Sequence, residues 1–188
     1  MIRSPYLSGR MGRCAGLILC LVATALSIPA RVTSAASVEV WYSPEDEPLR
    51  RVVEIYDQAT RYIFVAVYGL TSPRAVKALI QAKRRGVDVR VITDRERLDD
   101  VKQQTAVSAL LEAGILIKVN QHDGLMHLKQ VVVDDEVNTN GSMNHTTSGN
   151  RYNDERVDVI RDRAITIKAR EKFLSMWTDE QRFTLWKD

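Results

Sequence analysis

The sequence predicts an α/β fold, a layered mixed β-sheet flanked by helices. Two observations carry this. Apolar β-type segments alternate with segments of helical period three times between residues 38 and 119, and a hairpin-like pair, a further strand and a long helix follow. Alternation at these lengths builds a sheet covered by helices.

Each element has its own signal. Val38–Ser43 alternates apolar and polar residues as a strand does and stops at Pro44. Over Leu49–Arg61, Leu49, Val52, Val53, Tyr56 and Ala59 recur at helical spacing. Tyr62–Leu70 is a nearly continuous apolar run, as expected of a strand covered on both faces. Ser72 and Pro73 supply a cap and a first-turn proline for a helix running to Arg85, where Gly86 stops it. Val87–Thr93 alternates again, Asp99–Ala113 reads as a helix closed by Gly114, and Ile115–Val119 as the next strand. A last strand is expected over about 156–160 and a helix over about 163–177. Ile165, Ala169, Phe173 and Trp177 on that helix are expected to pack the core.

Residues 1–35 stand apart. Arg3, Arg10 and Arg13 precede an apolar run from Ala15 to Leu26, followed by the small residues Thr33-Ser34-Ala35-Ala36. That order describes a secretory signal, with cleavage expected after Ala35 or Ala36 and export to the periplasm or medium. The alternative is an uncleaved membrane anchor, although the run is short of the roughly 20 residues a span requires. The remainder, 36–188, is long enough for one domain with its own core.

The leader also changes the charge argument. The chain carries 27 Lys and Arg against 24 Asp and Glu, a net +3, but residues 1–35 hold four arginines and no acid. The domain is therefore left with 23 basic and 24 acidic residues, so net charge gives no support for a polyanionic partner. Both cysteines, Cys14 and Cys20, lie in the leader, which leaves the domain without a disulfide.

The chemistry concentrates between His127 and Asn144. The stretch reads H-x-K-x4-D-x6-G-S-x-N, formed by His127, Lys129, Asp134, Gly141, Ser142 and Asn144. Residues two apart on a strand share a face, so the His127 imidazole and Lys129 ammonium converge. A neutral imidazole can attack phosphorus or carry a proton, and an ammonium beside it can hold non-bridging phosphate oxygens. Asp134-Asp135-Glu136 reads as a hairpin turn. The returning strand brings Gly141, which permits close backbone approach, and Ser142 and Asn144, which are neutral donors. A buried hairpin with a core histidine would account for His127 alone, but not for Lys, Ser and Asn in the same register.

This pattern resembles the HKD motif of the phospholipase D superfamily, position for position, and the layout of Val38–Ser43, Tyr62–Thr71 and Lys77–Asp94 is similar to its small single-motif members, the Nuc-type endonucleases. The resemblance implies a phospholipase D/nuclease-like fold with one HKD motif per chain. It also implies that Glu155 orients the catalytic imidazole, with adjacent Asp154 the competing acid; Asp134 reads as a supporting turn residue, since a strand starting at His127 would carry it to the opposite face. The superfamily site needs two motifs, and neither His122 nor His145 has a lysine two residues on. The resemblance therefore implies a homodimer with the site on its two-fold axis and no further stable protein partner. No cofactor or metal is implied. His122, His127 and Asp123 could in principle hold a metal, but three histidines without zinc-type spacing and no domain cysteine argue against it. The sequence departs from the family at Leu128, His145 and Arg156, each expected to border the pocket. The expected substrate is nucleic acid, cut without sequence preference and helped by clusters such as Lys83-Arg84-Arg85. A phospholipid headgroup phosphodiester, of phosphatidylcholine or cardiolipin, is the alternative.

Overall fold

The computed structural model describes Met1 and residues 35–187. Residues 2–34, and with them the arginines and apolar run of the expected leader and both cysteines, lie outside the described residues. Eight strands form one sheet in the order β1-β7-β6-β5-β2-β3-β4-β8. They are β1 (Ser37–Ser43), β2 (Tyr62–Val67), β3 (Asp88–Thr93), β4 (Leu116–Asn120), β5 (Lys129–Val133), β6 (Val137–Gly141), β7 (Glu155–Arg161) and β8 (Phe183–Leu185). β2, β3 and β4 run parallel, and every other pairing is antiparallel. The helices are α1 (Pro48–Gln58), α2 (Pro73–Arg84), α3 (Val101–Glu112), α4 (Thr147–Arg151) and α5 (Arg163–Thr178).

Period-two alternation divides the sheet residues between two cores. Ile63, Val65 and Val67 of β2, with Val131 and Val133 of β5, pack beneath Leu49, Val52, Ile55 and Tyr56 of α1 and Leu79 of α2. Phe64, Ala66 and Val132 face the other way, onto Ala169, Phe173 and Met176 of α5. Each Val, Leu, Ile, Phe or Met among them contributes about 1.5–3 kcal/mol when fully buried, so β2, covered on both faces, anchors the sheet. The second core also holds an aromatic stack, Tyr62–Phe64–Phe173–Trp177, with successive centroids 4.4, 4.8 and 5.7 Å apart.

Local signals place the ends of the helices. Gly86 (φ 90°) follows α2 and Gly114 (φ 75°) follows α3, both in the left-handed region where glycine is unstrained. Asp100 caps α3 by accepting from the Lys102 N–H, and Asp162 caps α5 by accepting from that of Ile165. Ser72 occupies the cap position of α2, but its hydroxyl makes no capping bond, and its backbone carbonyl serves Val76 instead. Two expectations need correction. On α5, Ile165 is 48 % exposed and Thr166 takes the core position, because the helix turns its 166–169–173–176 stripe inward. The β2 strand ends at Val67 rather than Leu70. The short elements α4 and β8 have too few periodic residues to be read from sequence.

The β5–β6 hairpin turns at Asp134 and Asp135, whose φ values of 55° and 61° are the positive pair a type I′ turn demands. Asp134 is buried, and its carboxylate accepts from the backbone N–H groups of Thr60, Arg61 and Tyr62 and from the Thr60 hydroxyl, at 2.7–2.9 Å. Burial alone would push this carboxyl up, but the backbone donors together outweigh it and hold it below its ordinary value. At the other end of the hairpin, Gly141 has φ 150°, and a Cβ there would collide with the Arg156 carbonyl oxygen. Gly141→Ala is expected to destabilise the domain by about 3 kcal/mol or more, measured by urea denaturation, since neither backbone can yield without breaking the β6–β7 pairing.

Candidate active site

The carboxyl ends of β2, β3, β4 and β6 and the amino ends of β5 and β7 meet at one edge of the sheet. His127 lies two residues before β5 and is exposed, while Lys129, the first residue of β5, is 8 % exposed. Their side chains converge as the strand period requires. Lys129 Nζ lies 3.0 Å from His127 Nε2 and donates to the His127 carbonyl at 2.8 Å. An ammonium can only donate, so this contact assigns the lone pair to Nε2 and the imidazole proton to Nδ1. The Lys129 pKa is lowered by burial, partly offset by the Glu155 carboxylate.

The Gly-Ser-x-Asn segment leaves β6 and crosses to the end of β2. Asn144 Oδ1 accepts from the Gly69 N–H at 2.9 Å, which fixes the amide so that its NH2 group is left to donate. The Ser142 hydroxyl donates to Glu155 Oε2 and accepts from the Arg156 N–H. Glu155 also accepts from Asn153. Among the described residues no hydrogen bond joins Glu155 to His127, and Asp154 is exposed. The chain thus brings His127 and Lys129 together as one group and Ser142 and Glu155 as another. Asn144 is oriented from β2, and Asp134 and Gly141 hold the hairpin.

Three residues carry weight that the motif did not signal. The Tyr68 ring lies 4.8 Å from the His127 ring, centroid to centroid, with Lys129 Nζ 5.2 Å from its centre. Gln103, fully buried on α3, accepts from the Leu70 N–H and donates to the Thr93 hydroxyl, which donates to the Tyr68 carbonyl. Asp94, also fully buried, accepts from the Met126 N–H at 2.6 Å and so fixes the loop that delivers His127. All are long-range contacts. The only local sign was the strand-ending Tyr68-Gly69.

The three departures from the family pattern have separate fates. His145 does not border the pocket. It is 2 % exposed, 3.2 Å from the Tyr56 hydroxyl through Nδ1, and burial lowers its pKa to about 4. Leu128 points toward the α5 core and the cleft beside His127, and Arg156 pairs with Asp158 over the Tyr42 ring. The basic run divides as well. Arg85 donates to the Tyr56 carbonyl, while Arg84 lines a groove of about 960 Å³ that opens at Tyr68, Gly69 and Asn144 and runs between α2 and α3. His122 packs edge-on against Phe183 and bonds the Asp123 carbonyl. Among the described residues there is no group of three or more His, Cys, Asp or Glu side chains suited to a metal.

Residues 52–177 match the family described as "Cardiolipin synthase, PLD-like domain". The chain belongs to the phospholipase D superfamily, and its class is that of the phosphodiesterases. It is 30 % identical over 145 residues to a phospholipase D of Rickettsia prowazekii (77 % of this chain, 67 % of that one). It is also 30 % identical over 134 residues to a mitochondrial cardiolipin hydrolase of Xenopus tropicalis (71 % and 63 %). The chain thus spans about two thirds of these relatives. Among solved structures it is similar to Nuc of Salmonella typhimurium, a phospholipase D family member, with a TM-score of 0.76 and 27 % identity, covering 82 % of this chain and all of that one.

Two predictions follow from the buried and oriented groups. A histidine with its folded pKa lowered stays neutral while the unfolded chain protonates, so its stability contribution is complete above about pH 6.5 and lost as pH falls toward 4. Thermal melting over that window is expected to show a fall on the order of 3 kcal/mol that His145→Phe flattens. Asn144→Asp places a carboxylate where a donor is needed, and kcat/KM on a phosphodiester is expected to drop about 10²-fold or more with the fold intact by circular dichroism.

Proposed function

We propose that the protein is a metal-independent endonuclease with little sequence preference, working through a phosphohistidine in a two-fold homodimer. The observation that carries the chemistry is the Lys129–His127 contact at 3.0 Å, which puts the Nε2 lone pair beside the ammonium that would hold a phosphate oxygen. As Lys129 turns to a phosphate oxygen it frees Nε2, which attacks phosphorus, the bond to the leaving oxygen breaks, and the partner subunit's His127, protonated on both nitrogens, gives that oxygen a proton. The same imidazole then takes a proton from water, whose oxygen attacks phosphorus and releases His127. Lys129, Ser142 and Asn144 from both copies hold the non-bridging oxygens as charge builds. Glu155 serves His127 in this scheme once the substrate and the second copy rearrange its bond to Ser142. The dimer supplies the second motif that one chain lacks, and two-fold pairing is the commonest oligomeric arrangement.

Nucleic acid is favoured as substrate because the groove leaving the site is open and rimmed by Lys77, Arg84, Arg97 and Lys102, while its carboxylate, Asp100, is engaged by Arg97. The likeness to Nuc over the whole of that chain points the same way. The second reading is a phospholipid headgroup phosphodiester, favoured by the names of the sequence relatives and by the aliphatic groove residues Val76, Ile80, Ala106 and Ala109. Export to the periplasm or medium through the leader completes the proposal.

Purified protein in excess EDTA, given plasmid and single-stranded DNA or phosphatidylcholine and cardiolipin vesicles, separates these readings. DNA cleavage is expected, lowered about 10⁴-fold by His127→Ala. Headgroup release without DNA cleavage would reverse the ranking. A fully active monomer in analytical ultracentrifugation would rule out the shared site.

A further inference from the structure

Arg97 lies in the short 3-10 turn after β3, far from the motif in sequence, yet its guanidinium stands 5.6 Å from the centre of the Tyr68 ring. The same ring lies 4.8 Å from the His127 ring, so guanidinium and imidazole are no more than about 10 Å apart. We propose that Arg97 forms a second phosphate subsite, one sugar along from the scissile phosphate, so that the site selects a chain of consecutive phosphodiesters over an isolated one. This rests on the nucleic-acid reading above.

Three features make Arg97 a binding group rather than a surface charge. It is held in place, because Nη2 donates to Asp100 Oδ2 at 2.7 Å while Oδ1 of the same carboxylate caps α3 through the Lys102 N–H. It is unsaturated, because Nε and Nη1 have no hydrogen-bond partner among the described residues and the side chain is 29 % exposed. It is also aimed, because it lines the groove that begins at Tyr68, Gly69 and Asn144, with Lys102 beside it. A planar guanidinium fixed on one edge offers its remaining N–H groups as a fork suited to phosphate oxygens, at little further entropic cost. A phosphatidylcholine would bring a choline cation and no second phosphate, which Arg97 would repel. A nucleic acid brings its next phosphate on the same strand.

The test compares a short oligothymidylate with bis(p-nitrophenyl) phosphate, a lone phosphodiester, for the wild type, Arg97→Gln and Arg97→Lys. The loss of kcat/KM in Arg97→Gln is expected to be about tenfold greater on the oligonucleotide than on the small diester, mainly through KM. The salt dependence of oligonucleotide binding should become shallower by about one ion, and Arg97→Lys, which keeps the charge, should recover part of the affinity and the full salt slope. Equal losses on both substrates would make Arg97 a structural residue and overturn the proposal, as would no loss on either. Slower cardiolipin hydrolysis with unchanged oligonucleotide cleavage would assign the subsite to a lipid with two phosphates and overturn it also. If the wild type cleaves the small diester but no oligonucleotide, the nuclease reading itself falls and takes the subsite with it.

Discussion

Five consecutive backbone N–H groups, from Tyr68 to Ser72, hold the site together. They donate in turn to the Leu128 carbonyl, Asn144 Oδ1, Gln103 Oε1 and twice to the His145 carbonyl. In the reverse direction, the His145 N–H donates to the Gly69 carbonyl. A strand end normally leaves such groups to water, and burying them unpaired would cost about 1–3 kcal/mol each. Here they form the seam at which the His127 segment, the Asn144 segment and α3 meet. The placement of the His127 segment relative to the Asn144 side chain is therefore set by main-chain geometry.

The two histidines nearest that seam show how environment divides one residue type. His127 stands in the open beside a lysine. His145 lies in the core against Tyr56, where protonation would strand a charge in an apolar setting. Tyr56, also fully buried, has its hydroxyl pKa pushed upward by the same desolvation. The pair is a neutral polar contact inside an aliphatic shell, and its chemistry is that of packing.

Much of the fold was legible because its signals are local. The alternation of strands and helices, the glycine stops at Gly86 and Gly114, the proline starting α2 and the turn at Asp134-Asp135 all follow from short-range sterics. The convergence of His127 and Lys129 followed from the two-residue period. Tyr68, Gln103, Asp94 and Arg97 were not legible, because each gains its meaning from partners some 25 to 60 residues away in the chain. His145 departs from expectation for a related reason: although it follows Asn144 in sequence, the backbone turns there and the imidazole enters the core. On α5 the choice of Thr166 over Ile165 depends on the helix's rotation against β2 and β5, which spacing alone does not fix.

The seam at residues 68–72 separates two duties that proteins often load onto the same atoms. The holding is done by amides, which every residue except proline possesses. The side chains of Tyr68 and Thr71 are left to face the groove. This wall can thus change its chemical character, residue by residue, while the framework behind it stays in register. A scaffold divided in this way can pass from one phosphodiester to another through ordinary point substitutions, with no loop to rebuild.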